Sequence, residues 1–178
     1  MDLEKLRYPI GKLNYTGSPT IDQRNRWIQD IAEFPDQLRA AVKDLTQEQL
    51  QWHYRPEGWT IRQLVHHCAD SHINAQLRFK LALTEGLPTI KPYKESLWAQ
   101  LPDIEVDISV SLDLLTALHK KWVYLLERLS EEDFSRQYIH PEHNKTFDLN
   151  FTVAMYSWHC RHHYAHVLQA IAHKGQFA

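Results

Sequence analysis

Twelve histidines mark this chain. Seven of them crowd into two segments, Val65-His-His-Cys-Ala-Asp-Ser-His72 and Trp158-His-Cys-Arg-His-His-Tyr-Ala-His166. His159 and His163 stand four residues apart, so on a helix both side chains project from one face. At about 100° per residue, that face also holds Tyr156, Val167 and Ala170, so both rings point inward. A single inward histidine is most simply a neutral core side chain with hydrogen-bonded nitrogens. Two at this spacing can reach one divalent ion at about 2.0 to 2.1 Å, and the pair is what points to metal chemistry.

The other histidines are less determined. His166 lies at the edge of the same face and stays open as a ligand, whereas His162 is turned about 100° from His163 and reads as solvated. A third ligand must come from another helix, and the Val65 to His72 segment offers it. Within it His72 lies in the apolar line, His67 flanks that line beside Leu64 and Ser71, and His66 and Asp70 face outward. Helical geometry does not choose between His67 and His72. Cys68 and Cys160 adjoin these histidines on apolar faces. They lack the paired Cys-x-x-Cys spacing of structural zinc sites, so they read as small buried hydrophobes. Arg161 and the charged residues of the third helix read as surface.

The elements that must position these residues are helices. Trp27, Ile31, Phe34, Leu38, Val42 and Leu45 recur at three- and four-residue steps and predict a first long helix over 20–45, with a kink expected at Pro35. Thr46 to Gln49 has capping-box spacing and opens a short segment that Gly58-Trp59 breaks. Thr60 to Gln63 repeats the spacing and opens a second helix to about Thr84, ended by Gly86 and Pro88. A proline-punctuated connection over 87–107 follows, with Tyr93 and Trp98 expected to pack on the bundle. The third helix, 109–129, carries Leu114, Leu115, Leu118, Trp122, Leu125, Leu126 and Leu129 on one face. A polar stretch, His140 to Lys145, leads to a fourth helix over 150–173, closed by Gly175. With no alternating runs or Asn-Gly turns to suggest sheets, the fold class is all-α, a four-helix bundle with a long connection between its second and third helices.

Bulk properties narrow the function. At 178 residues, 43% hydrophobic and 24% charged, the chain fits one folded domain spanning 1–178 rather than a disordered or membrane protein. A net charge of −2 with dispersed Lys and Arg gives no footprint for nucleic acid. The N-terminal residues hold no continuous apolar run and two cysteines make no disulfide framework, so a cytoplasmic location is expected.

Taken together, the segments Leu6-Arg-Tyr-Pro-Ile-Gly11, Gly58-Trp-Thr60, Val65 to His72, Arg78-Phe-Lys-Leu-Ala-Leu-Thr-Glu85 and Trp158 to His163 resemble the DinB-like family. Within it they are similar to the YfiT-type branch of metal-dependent hydrolases, also described as bacillithiol transferases. The resemblance spans nearly the whole chain. It implies a four-helix bundle, a homodimer, and one divalent ion per chain, zinc or nickel, on His67, His159 and His163. It thereby favours His67 over His72. Cys68 stands where the family's pattern has a larger aliphatic, and Cys160 where a small residue such as glycine is usual; either thiol could be a spectator or could crowd or join the metal.

Three neutral imidazoles leave a coordination position for water or substrate, the pattern of a catalytic site. The expected function is an enzyme whose ion activates a small nucleophile. Transfer of the thiol bacillithiol to an electrophile leads, hydrolysis by activated water is the alternative, and a non-catalytic metal-binding stress module is the third reading. No catalytic base is assigned, although Asp70 and the histidines near the ligands are candidates.

Overall fold

The structure is a computed structural model describing residues 2–177. Four long helices form it: α2 (Ile21–Val42), α3 (Ile61–Thr84), α5 (Ile108–Leu126) and α7 (Leu149–His173). Short helices α1 (Leu3–Arg7), α4 (Glu95–Trp98) and α6 (Glu131–Phe134) lie between and before them. The starts are fixed locally. Thr20 with Gln23 and Thr60 with Gln63 form reciprocal capping boxes that satisfy the orphan amides of α2 and α3. Asp107 and Asp148 cap α5 and α7.

α2 packs along α5 and α7, and α3 packs along the same two helices. The order around the bundle is therefore α2, α5, α3, α7, which puts the two histidine segments on neighbouring helices. Ile31, Phe34 and Leu38 of α2 meet Leu64, Val65 and Phe79 of α3, Leu115 and Trp122 of α5, and Val153 and Val167 of α7 in one buried core. Burying each such side chain stabilises by about 1.5–3 kcal/mol.

Two departures from the sequence reading have physical reasons. α5 ends at Leu126, and its buried line is Ile108, Leu112, Leu115, His119, Trp122 and Leu126, so Leu114 is 42% exposed. The leucine-rich run offers two overlapping stripes, and packing against both α2 and α3 selects the one that starts at Ile108. The polar stretch forms the turn of a β-hairpin whose strands were not expected, β1 (Gln137–His140) antiparallel to β2 (Lys145–Asp148). Its strands are four residues each, too short to show alternation, and they are held by Tyr138, which is buried against the bundle. Ile139 donates to the Pro88 carbonyl and accepts from Ile90, so the long connection is tied to the hairpin. Trp98 packs on Tyr93 at 4.5 Å, on a short helix set against α3, and stays part-exposed.

Pro35 sits inside an unbroken α2. Having no N–H, it leaves the Ile31 carbonyl four residues earlier without its helical donor. Among the described residues no helix is long and apolar enough to cross a membrane.

Candidate metal centre

The α3/α7 edge brings His67, His159 and His163 together, each offering a ligand nitrogen within 4.8 Å of the others. The rings of His159 and His163 lie 4.4 Å apart, as four-residue spacing on one helix dictates, and His67 faces them from α3 at 5.4 and 4.9 Å. Burial, with His162 nearby, holds His67 down to about 4. Burial and then the facing imidazoles hold His159 and His163 well below the ordinary histidine value. All three are neutral at pH 7, so their lone pairs are free. Nδ1 of His163 is buried with no hydrogen-bond partner. Three neutral nitrogen donors converging on one point, with no carboxylate among them, fit a single divalent ion.

His72, the other candidate on α3, lies outside this cluster and behind it. Its Nε2 meets His159 Nδ1 at 3.0 Å and its Nδ1 meets His119 Nε2 at 2.6 Å, while His119 Nδ1 meets the Ile31 carbonyl at 2.6 Å. The carbonyl can only accept, so His119 carries its proton on Nδ1. His119 Nε2 must then accept from His72 Nδ1–H, and His72 Nε2 must accept from His159 Nδ1–H. Every ring proton of this relay is therefore placed, and His159 Nε2 is left as the lone pair of that ring, with Ser71 Oγ 3.4 Å away. This is the outer support that metal-binding histidines generally require. It starts at the carbonyl that Pro35 leaves free.

His119 was not singled out from sequence, yet its position three before Trp122 and four after Leu115 puts it on the buried face. Two histidines read as outward are covered. His66 is buried with Nδ1 2.7 Å from Ser111 Oγ, because α5 lies over that flank. His162 stacks on Trp158 at 4.2 Å under Tyr8, because the N-terminal segment crosses α7 there. His166 is buried, donates Nε2–H to the Arg7 carbonyl at 3.1 Å and stacks on Tyr54, outside the ligand cluster. Cys68 and Cys160 are free and fully buried, and burial pushes both thiols up, so they are protonated hydrophobes rather than thiolate ligands. Arg161 pairs with Asp30 at the surface, 3.1 Å apart.

Two cavities meet at the cluster. One, of about 410 Å³, is lined by His67, His159 and His163 with Trp59, Arg55 and Glu57. The other, of about 690 Å³, is reached past His159 and Ser71. Glu95 borders both. Asp70 lines neither, and lies beside Asp103. Glu57 and Glu95 escaped the sequence reading because both sit in connections, where no periodicity places them.

A helical bundle with a tri-histidine cluster at one helix pair, open to a cavity, has the donor set for one metal ion and room beside it for a small molecule. Residues 30–167 match the DinB superfamily, and the chain belongs to that family. It is 50% identical over 165 residues to proteins of Bacillus mycoides and Bacillus cereus that carry the provisional name of metal-dependent hydrolase, covering 93% of this chain and 95% of theirs. YfiT from Bacillus subtilis, described as a probable metal-dependent hydrolase with an unusual four-helix bundle topology, superimposes with a TM-score of 0.93 at 42% identity, covering 97% of this chain and 99% of that one. A mycothiol-dependent maleylpyruvate isomerase shares the fold more distantly, with a TM-score of 0.52 at 19% identity over 85% of this chain and 60% of that one.

Proposed function

We propose that the protein is a metal-dependent enzyme in which His67, His159 and His163 hold one zinc or nickel ion and a low-molecular-weight thiol, bacillithiol, is transferred to an electrophilic small molecule. The observation that carries this reading is the convergence of three neutral imidazoles on the wall of a cavity large enough for a small substrate. When bound, the ion supplies Lewis acidity that favours the ionised form of a thiol or of water. The protein's own groups do the rest. Trp59 packs on His67 at 4.5 Å, and the Tyr54–His166 and Trp158–His162 stacks hold the cavity walls. Glu95, an exposed carboxylate on the rim of both cavities, is the group we assign to accept the nucleophile's proton. Thiol transfer is supported by the sequence resemblance, and by the thiol dependence of the distant isomerase as a fold-level analogy only.

Hydrolysis is the second reading, favoured by the names of the relatives that are 50% identical. We propose further that the protein works as a homodimer in the cytoplasm. Metal content of the pure protein and of His163→Ala tests the ligand set: one ion per chain is expected in the first and loss in the second, and unchanged content in the variant would sink it. Incubating holo-protein with bacillithiol and a chromogenic electrophile, then with esters and amides, divides transferase from hydrolase. Light scattering checks the dimer.

A further inference from the structure

The larger cavity holds a cation that, among the described residues, has no carboxylate at ion-pair distance. Arg78 of α3 is 8% exposed and lines that cavity. Among the described residues no carboxylate comes within ion-pair distance of its guanidinium, and it stacks on no aromatic ring. Its Nε is buried without a hydrogen-bond partner. Tyr138 lies beside it. The Tyr138 hydroxyl donates to Thr152 Oγ1, which itself donates to the Asp148 carbonyl, so the phenolic oxygen faces Arg78 as a neutral acceptor at most. An unpaired buried cation is costly, and a hydrophobic side chain of the same length would be the more stable choice.

The remaining wall does not supply the missing charge. Glu95 and Glu142 border the cavity from exposed positions, where water screens them, and Lys94 sits at the same rim. His140, buried with an unpartnered Nδ1, adds a second polar group without a mate. The cavity runs to the metal centre, because Ser71 lines it and Ser71 Oγ lies 3.4 Å from His159 Nε2.

We infer that Arg78 is an anion-binding subsite that takes the carboxylate of a small organic acid and thereby orients the rest of that molecule toward the tri-histidine centre. The planar guanidinium fork matches a carboxylate's two oxygens. The subsite deepens the enzymatic reading and rests on it for its role in turnover, but its occupancy by an anion does not.

The test uses the zinc-loaded full chain, with succinate and inorganic phosphate as probes and the arginine Nε–H signals followed by NMR. Succinate is expected to shift one buried arginine signal. Arg78→Met is expected to weaken succinate binding by about 10- to 100-fold, with zinc content unchanged, and Arg78→Lys to fall between. Because Arg78→Met removes a lone buried charge, it is also expected to raise the thermal midpoint, whereas a purely structural arginine would lower it. Unchanged succinate affinity in Arg78→Met, or a lowered midpoint, overturns the subsite. Tighter binding of phosphate than of succinate overturns the carboxylate assignment. Loss of zinc from wild type under the same conditions would instead indict the metal reading, so the two failures are distinguishable.

Discussion

Replacing His72 by leucine removes the middle link of the histidine chain at nearly constant volume. The link is wholly buried, and so is His119 beyond it. The substitution strands two polar atoms, the Nδ1–H of His159 and the Nε2 of His119, in a site that water does not reach. A stranded buried group costs about 1–3 kcal/mol, so the metal-free protein should lose stability. His159 is also released to turn, or to move its proton to the nitrogen that faces His67 and His163. Loss of such an outer partner typically weakens a metal site by about 10- to 100-fold, equivalent to roughly 1.4–2.7 kcal/mol. The assay is zinc competition against a chromogenic chelator, run on variants whose helical circular dichroism matches wild type. His72→Gln, whose amide oxygen can still accept from His159, should recover part of the affinity. A folded His72→Leu variant with zinc affinity within about twofold of wild type would refute the supporting role.

Gly175 follows α7 at φ +68°, and a Cβ there would lie 2.9 Å from Trp52 Cβ and 3.0 Å from its Cα. Since backbone cannot give way cheaply, Gly175→Ala should cost at least about 1–2 kcal/mol and lower the thermal midpoint by several degrees; an unchanged midpoint would contradict the packing. Burial, and then the nearby Asp103, push the Asp70 carboxyl up to about 6 from 3.8. Its folded-state proton is held more tightly than in the unfolded chain, so its favourable contribution is complete below pH 3.8 and is lost as pH rises through 6. Asp70→Asn should therefore stabilise above pH 6 by about 1 kcal/mol, discounted for the half-exposed position. The gain should vanish below pH 4, and equal effects in urea melts at pH 4 and pH 8 would be inconsistent with the raised value.

The helices and the His159/His163 pair were legible because they depend on spacing along one element. Capping boxes and three- and four-residue apolar steps are local, and so is the four-residue step that aims two rings the same way. His67 and His72 could not be separated by spacing, because α3 faces two neighbours: His67 meets α7 at the cavity, and His72 lies between α5 and α7. A helical wheel says how far two side chains diverge, not which helix each one finds. The same blindness explains His66 and His162, whose covers are α5 and the N-terminal segment. It explains Arg78 as well, since only the tertiary structure shows that, among the described residues, no carboxylate pairs with this residue of the Arg78 to Glu85 segment.

The far end of the histidine chain is a backbone atom. No substitution at position 31 can delete the Ile31 carbonyl, so the usual route by which a supporting group is lost does not exist here. The exposed weakness lies four residues on, at Pro35, which makes no contribution through its own side-chain chemistry. Any other residue at 35 brings back an amide that competes with His119 for the same oxygen. A missing amide on α2 thus bears, through three rings, on which nitrogen of His159 carries its proton.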